Sequence, residues 1–590
     1  MDKRFFLALV LTALVIVATP LLFPNTATRT PTSAAADSLR RAPGARADSG
    51  STATAVAPRT IAAAPAPGDS LRAAGITTAA PQAQPPAVAA VETTTVAAKR
   101  TIYAFSSRGG APISVALDSY PSKRPPAGSP RSELVRPRTQ LLRYRLALGA
   151  DTIALDAIPL RAERGSPGAS ATGAKPGAAQ PLSYTGTAAG RPVRLDYVFE
   201  PDSFMVRVAA TVTGAPAGSS LLVDLPRTLL SNEPDTLDDM NHLAVSYRTG
   251  RGEVNSVGFG KLDSGEVMIQ PGPLSWVATR NKYFLVALRT STKTPFTGLR
   301  LTPVVASVAK DVDATAALPL SSDGRAAFDL YTGPQDFKRL ERLGADLDQV
   351  NPYGGWMQGM VQPFATIVMR VLLWIKSTTQ LNYGWVLVLF GVIIRLALWP
   401  LNQGAMRTSI KMQRLQPELQ ALQKKHSDDP RKQQEAIMKV YKDHGMSPLS
   451  PLMGCLPMLL PMPILFALYF VFQNTIEFRG VPFLWLPDIS LKDPYYITPV
   501  LMGVSMFVMS WIGMRNSPPN PQAKIMMYMM PVMLTVLFFN FASGLNLYYA
   551  VQNVAAIPQQ WLLARERSKE PPVQTPVIRG TPAPARKRNA

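Results

Sequence analysis

Hydrophobic positions follow two different rules along this chain. Between Thr101 and about Asp329 they recur at every second residue. Val193, Leu195, Tyr197 and Phe199 share one face and Arg194 and Asp196 the other; after a Glu200-Pro-Asp-Ser203 turn, Phe204, Val206 and Val208 alternate again. That pattern predicts a β-hairpin. Shorter runs of the same kind lie at Thr101–Phe105, Leu141–Leu148 and Tyr283–Leu288, with Gly109-Gly110 and Gly272-Pro273 expected to mark turns. A β-sandwich over residues 99–335 is the expectation, interrupted by a low-complexity loop at Ser166–Gln180.

Beyond this region the apolar residues come in long runs. Gly384–Pro400, GWVLVLFGVIIRLALWP, is apolar except for Arg395. A guanidinium at the centre of a membrane helix costs roughly 2.5–3.5 kcal/mol, so it is kept where it faces water, a partner or protein. Arg395 also lies roughly 7.5 Å along a helix from Pro400, and the competing reading is a side chain snorkelling to the cytoplasmic surface. Further runs at Leu449–Phe472, Pro494–Met514, Ile525–Phe541 and Leu545–Leu563 complete five crossings. Phe5–Phe23, preceded by Lys3 and Arg4, is a sixth and reads as an uncleaved anchor (residues 1–24) rather than a signal peptide cut near Ala34-Ala35-Ala36. Residues 25–98, rich in Ala, Pro, Thr and Ser, read as a disordered linker. Within 336–381, Met357, Met360, Val361, Phe364, Val368, Val371, Leu372 and Ile375 fall at helical spacing on one face. Arg370, Lys376, Trp356 and Trp374 suit a helix lying along the outer leaflet.

Charge orients these spans. Leu401–Pro448 carries nine Lys/Arg against five Asp/Glu, as a cytoplasmic loop should. Ala405, Thr408, Met412, Leu415, Leu419 and Leu422 form a seam, continued by Ile437, Val440 and His444, which predicts an antiparallel helical hairpin over 402–446, kinked at Pro417. The tail from Arg565 carries seven Lys/Arg against two Asp/Glu and ends Arg586-Lys587-Arg588, a basic arm for RNA or anionic lipid. Both termini are expected in the cytoplasm, with 382–564 as a five-helix core and 565–590 as the tail.

Composition narrows the chemistry. The net charge is +22, from 61 Lys+Arg and 39 Asp+Glu, which points to anionic lipid, RNA or ribosome. With Cys455 as the one cysteine and His242, His426 and His444 as the three histidines, neither a disulfide nor a zinc site is expected. Gly258-Phe-Gly-Lys261, followed by Leu262, lacks the first glycine and the Ser/Thr of a phosphate loop. What stands out instead lies inside the spans. Asn540, Asn546, Tyr548, Tyr549, Gln552 and Asn553 place polar groups in the last two helices, and methionines crowd Met526–Met533 and recur at Met458, Met462, Met502, Met506 and Met509. Flexible thioethers make an adaptable apolar surface. On these residues alone, ordinary interhelical hydrogen bonds and methionine packing are the better explanation.

A resemblance separates these readings. Gly384–Pro400 with its arginine, Leu415-Gln-Pro-Glu-Leu419, Gly454-Cys-Leu-Pro-Met-Leu-Leu-Pro-Met-Pro463, Phe466-Ala-Leu-Tyr469, Asp493-Pro-Tyr-Tyr496, Leu501-Met-Gly503 and Ser543-Gly-Leu-Asn-Leu-Tyr-Tyr549 with Asn553 closely resemble the YidC/Oxa/Alb family of membrane protein insertases. Arg108-Gly-Gly110, Trp276-Val-Ala278 with Tyr283-Phe284, and Tyr331-Thr-Gly-Pro334 resemble the periplasmic domain of its Gram-negative type. The chain departs from the family pattern at Pro461, where glutamine is usual, and at the expanded Ser447-Pro-Leu-Ser-Pro451.

The resemblance implies a multi-domain protein of the bacterial inner membrane: an α-helical bundle of six spans with a five-helix insertase core, plus an exported all-β sandwich in the periplasm. It implies a water-filled groove lined by Arg395, Asn540, Asn546, Tyr549 and Gln552, and a substrate slide bearing Met458, Met462, Met506 and Met530. Ribosome or partner contact is assigned to Arg407, Lys411, Arg414, Arg586, Lys587 and Arg588. The implied function is non-enzymatic and cofactor-free: integrating and helping to fold nascent membrane proteins, alone or with the Sec translocon, in contact with the ribosome and anionic lipids. Two other classes remain. A secondary transporter calls for a second intramembrane charge and an internal repeat. A membrane-anchored periplasmic scaffold has no use for Arg395 or the basic hairpin.

Overall fold

Alternation gives sheet and the long apolar runs give helix. The computed structural model describes residues 91–569 without 126–127, 137–138, 165–180, 264, 291–293, 305–310, 354–357, 444–461 and 515–520; of 401–428 it describes 402–404, 415, 418–419, 421–422 and 425. The chain divides into two units, Met1–Thr93 and Thr94–Ala590, the second of which holds the described sheets and helices. The N-terminal anchor, the linker up to residue 90 and the loop at Ser166–Gln180 lie outside the described residues; Thr93–Ala97, expected as disordered linker, is instead a strand of a smaller sheet, because its β-branched Thr and Val residues pair with the next strand.

The large sheet is antiparallel. Its main path runs through Asp151–Ala154, Arg143–Leu148, Ser220–Asp224, Asp311–Pro319, Phe296–Val304, Met268–Arg280, Phe284–Arg289, Arg325–Pro334, Met205–Val212, Arg191–Phe199, Leu182–Ala188 and Arg161–Arg164. The expected hairpin is there, with Val206 opposite Phe199 and Val208 opposite Tyr197. Tyr144 and Tyr197 sit near opposite ends of that strand order, yet their hydroxyls are hydrogen-bonded at 3.2 Å. The sheet therefore curls over on itself to make the sandwich. A smaller sheet, pairing Thr101–Ser106 with Pro112–Leu117, adds to the same core: the Phe105 ring lies 4.7 Å from that of Tyr197. One expectation is corrected. Gly272-Pro273 is no turn but lies inside the strand Met268–Arg280, where the register against Phe296–Val304 shifts between Pro271 and Leu274. A Cβ at Gly272 would collide with the backbone of Phe296 and Thr297, so the bulge needs glycine there.

Two short helices belong to this domain: α1 (Thr236–Asn241), capped by Asp235, and α2 (Phe337–Leu343), capped by Asp336. The rest are long: α3 (Gln358–Thr379), α4 (Tyr383–Ala397), α5 (Pro430–Asp443), α6 (Met462–Asn474), α7 (Ile497–Met514), α8 (Pro521–Phe538) and α9 (Ser543–Lys569). By length and composition α3 and α7 are long and apolar enough to cross a membrane; α4, Ile464–Asn474 and Met527–Phe538 are shorter apolar helices. The apolar face expected for α3 is two faces. Val361, Ala365, Val368, Met369, Leu372, Leu373 and Ile375 are buried, whereas Met360, Phe364, Ile367 and Trp374 are exposed. Ala365, Met369 and Leu373 widen the packing stripe and turn Met360 and Phe364 outward. Helix α9 runs on through Arg565 to Lys569, residues expected to be tail, with the Arg565 guanidinium 3.9 Å over the Trp561 ring. In the hairpin, Leu415 and Leu419 pack with Val440 and Tyr441, beside Ile437 and Leu422. His444 and Pro417 lie outside the described residues.

The segment between α6 and α7 fastens the β-domain to the helices. Ile476 is buried in the β-domain core, while Phe478 joins the helical core, stacked 4.8 Å from Phe472. The Arg479 Nε donates to the Glu233 carboxylate at 2.7 Å, both side chains being less than a tenth exposed. Its Nη2 donates to the carbonyls of Pro121 and Asn232 at 2.9 and 3.2 Å. Lys123 reaches Asp488 at 2.6 Å. Glu477 accepts the Phe337 N–H at 3.1 Å, and its second carboxyl oxygen is buried without a partner. Burial, helped by Asp336, pushes the Glu477 carboxyl from its ordinary 4.5 up to about 8. A carboxyl raised in the folded state stabilises fully below pH 4.5, and that contribution is lost as pH rises through about 8. Wild type should therefore lose more thermal stability than Glu477→Gln between about pH 5 and pH 9. Tryptophan fluorescence melts of the detergent-solubilised protein measure this, and parallel pH profiles would contradict it.

Candidate functional site

Helix α4 begins where the Asn382 side chain accepts the Gly384 N–H at 2.9 Å. Val386, Leu387, Phe390 and Gly391 form its buried stripe. Gly391 is the close approach: a Cβ there would sit 3.0 Å from Val551 Cγ1 of α9. The Phe390 ring lies 5.7 Å from that of Tyr548, level with the same point. Gln552 donates from Nε2 to the Gly391 carbonyl at 3.1 Å and to the Tyr548 hydroxyl at 2.8 Å.

One turn further on, Arg395 is half-buried, and its Nη2 donates to Gln559 Oε1 at 2.7 Å. Gln559 is 1% exposed, and its Nε2 donates to the Trp399 carbonyl at 3.1 Å. The Arg395 Nε is buried without a partner. Contacts therefore advance together along α4 (Phe390, Gly391, Arg395, Trp399) and α9 (Tyr548, Gln552, Gln559), so these two helices run the same way. Helix α7 runs with them. Asn553 Nδ2 donates to the Met502 carbonyl at 3.4 Å and to Ser505 Oγ at 3.1 Å, and Gly513 faces Gln560 further along. Helix α8 runs oppositely, with Tyr496 by Phe539 and Phe507 by Tyr528.

The polar residues expected as one groove are spread along this ladder. Asn540 is exposed in the turn after α8. Asn546 is fully buried in the first turns of α9; its Nδ2 donates to the Phe538 carbonyl at 3.1 Å, while Oδ1 has no partner. The Tyr549 ring packs 5.6 Å from Phe538. From Asn546 to Gln559 is ~20 Å of helix, so the structure brings Arg395 to Gln559 and leaves Asn540 and Asn546 near the other end. Gln559 is not among the residues the sequence singles out. Its signal is spacing: Tyr548, Gln552 and Gln559 stand at i, i+4 and i+11, one face of a helix. Met506 and Met530 are half-buried on α7 and α8. Met458, the Met462 side chain, Arg407, Lys411, Arg414, Arg586, Lys587 and Arg588 lie outside the described residues.

The outward faces of these helices are apolar and uncovered. Val500, Leu501, Val504 and Trp511 on α7, Tyr528, Val532 and Val536 on α8, and Val554, Trp561 and Leu562 on α9 are all exposed. Such a surface calls for an apolar solvent. A separate groove of about 710 Å³ lies on the outer face of the large sheet, but its charges answer one another: Arg145 pairs with Asp224 at 2.6 Å and Arg143 with Asp313 at 3.0 Å.

Two family models match the chain in tandem. Residues 91–367 match the YidC periplasmic domain, and residues 374–570 match the 60Kd inner membrane protein family. A membrane protein insertase YidC of Prosthecochloris aestuarii is 30% identical over 424 residues, covering 67% of this chain and 70% of the relative. The chain belongs to the YidC family of membrane protein insertases. A second family member, from Ralstonia nicotianae, is 32% identical over 395 residues, covering 65% of this chain and 68% of its own. A third, from Chlorobaculum tepidum, is 31% identical over 398 residues, with 63% and 65% covered. The chain thus spans about two thirds of the length of these relatives. An active YidC insertase crystal structure with its first transmembrane domain resolved is similar at 18% identity, covering 80% of this chain and 93% of that one, with a TM-score of 0.33. These family members carry the name of an insertase and not of an enzyme.

Close approach at Gly391 lets Gln552 reach across. Gly391→Leu should wedge α4 from α9 and destabilise the bundle by about 1–3 kcal/mol. Thermal unfolding in detergent measures it, and an unchanged midpoint would refute the packing account.

Proposed function

We propose that this chain integrates nascent membrane proteins into a bacterial inner membrane through a hydrophilic groove between α4 and α9, without nucleotide or cofactor. The observation that carries the reading is Arg395: a permanent cation on an apolar helix, held by a neutral amide at 2.7 Å. Arg395 stands in the last turn of α4, but a snorkelling side chain would face solvent, and this one is half-buried against α9. The shared direction of α4, α7 and α9, opposed by α8, supports a bundle in which the first three cross inward. With the N-terminal anchor and the run ending in α6 there are six spans, both termini cytoplasmic and the β-domain periplasmic. Helix α3 lies along the outer leaflet with Met360, Phe364, Ile367 and Trp374 toward lipid.

The mechanism rests on solvation. An incoming segment has polar flanks that hydrocarbon rejects and an apolar centre that it accepts. Arg395, Gln552 and Gln559 keep a wet path part-way through the bilayer and so shorten the dry distance those flanks must cross. At 4 Å and an effective dielectric of 20 the arginine attracts a carboxylate by about 4 kcal/mol. The segment then leaves sideways past the apolar faces of α7 and α8, where Met506 and Met530 belong to the slide, driven by about 0.8 kcal/mol per buried CH₂. The basic hairpin and tail receive the ribosome and anionic lipid, and the chain works alone or with the Sec translocon.

In reconstituted vesicles, Arg395→Ala should lower insertion of a client with an acidic translocated tail about tenfold, equivalent to ~1.4 kcal/mol, while Arg395→Lys retains most activity. Equal insertion by wild type and the alanine variant would sink the groove mechanism. Truncation after Lys569 removes Arg579, Arg586, Lys587 and Arg588. It should weaken ribosome co-sedimentation and flatten its dependence on salt; unchanged binding at low salt would free the tail of that role.

A further inference from the structure

We infer that Gln559 is the positioning residue for Arg395, a neutral clamp that fixes the guanidinium while leaving its whole charge for an anionic client tail. This rests on the groove reading and deepens it by naming a determinant of client charge.

The orientation of the Gln559 amide is forced. The Trp399 carbonyl only accepts, and the Arg395 guanidinium only donates. The amide NH₂ must therefore face Trp399, at 3.1 Å, and the amide oxygen must face Arg395, at 2.7 Å. Trp399 stands just past the end of α4. The segment that follows the Arg395 helix thus also holds its partner in place. Gln559 is 1% exposed, so its neighbours hold the amide in this orientation.

The choice of partner is informative. A buried arginine needed only for structure is usually met by a carboxylate, since an unneutralised charge in a low dielectric is expensive. Here α4, α6, α7 and α8, and α9 as far as Ala564, contain no Asp or Glu at all. Among the described residues Arg395 has a hydrogen bond but no ion pair, and its Nε is buried without a partner. An amide supplies direction without cancelling charge. What completes the site is an anion brought from outside, and in an insertion path that is the carboxylates of the incoming segment.

The test compares Gln559→Glu, Gln559→Met and Arg395→Ala in vesicles of zwitterionic lipid, each with one client whose translocated tail is acidic and the same client with the tail neutralised. Gln559→Glu should neutralise the arginine in place, lowering insertion of the acidic-tailed client about tenfold and that of the neutral-tailed client by less than about twofold. Gln559→Met, which cannot clamp but adds no charge, should show a smaller loss of the same selectivity and remains informative if the glutamate variant does not accumulate. Equal losses for both clients would make Gln559 a packing residue and overturn the inference. Wild-type behaviour of both Gln559 variants, with Arg395→Ala still selectively defective, would overturn it too and leave the groove reading standing. Indifference of Arg395→Ala to client charge would instead remove the groove reading, and this inference with it.

Discussion

The packing of α4 against α9 answers one constraint: a guanidinium that keeps its proton sits on a helix made for hydrocarbon. Half-buried in the last turn of α4, the charge must be met by groups on neighbouring helices. Gln559 meets it at 2.7 Å. For that, α4 and α9 must run side by side in the same direction and close together, which Gly391 permits. Gln552 fixes their relative height by bonding the Gly391 carbonyl, and Asn553 ties α9 to α7 through Met502 and Ser505. The amide ladder is thus both the device that aligns the bundle and the polar lining that the proposed path uses.

The end of the bundle that faces the β-domain is built on different terms. There the link is ionic and buried: Arg479 with Glu233, and Lys123 with Asp488. Pairs of this kind add little net stability, but breaking one by removing a partner typically costs 3–5 kcal/mol. They select one docking geometry over others. Ile476 in one core and Phe478 in the other extend the selection to apolar contacts three residues long. An end docked to the β-domain and a charge-bearing opposite end fit the groove proposed above.

Legibility in the sequence tracks the range of the interaction. The hairpin Arg191–Val212 is readable because its period of two is local and its turn is marked. So is the hairpin seam at Leu415 and Leu419, though Tyr441 on the facing helix is not. Gly272-Pro273 misleads because a Gly-Pro pair signals a turn from either side, whereas the offset that makes it a bulge lies in the partner strand. The α9 extension is hidden because Pro558 and the basic residues after Leu563 imitate a helix end, yet Pro558 lies inside the helix. Glu233 and Arg479 are 246 residues apart, and no local pattern joins them. Gln559 is within reach, since its i+7 spacing from Gln552 is local. It is easily passed over, because an amide near a helix end reads as surface.

The central claim is that the face of α9 bearing Gln552 and Gln559 is wet and opens to the cytoplasm. With Cys455 replaced by serine, single variants Gln552→Cys, Gln559→Cys and Val554→Cys can be exposed to a membrane-impermeant maleimide in inverted inner-membrane vesicles. Val554 is exposed on the apolar outer side of the same helix. The account predicts labelling at 552 and 559 and none at 554, with none of the three labelled when the reagent is confined to the periplasmic side. Absence of labelling at both 552 and 559 from the cytoplasmic face, in protein that labels fully once denatured, would contradict it.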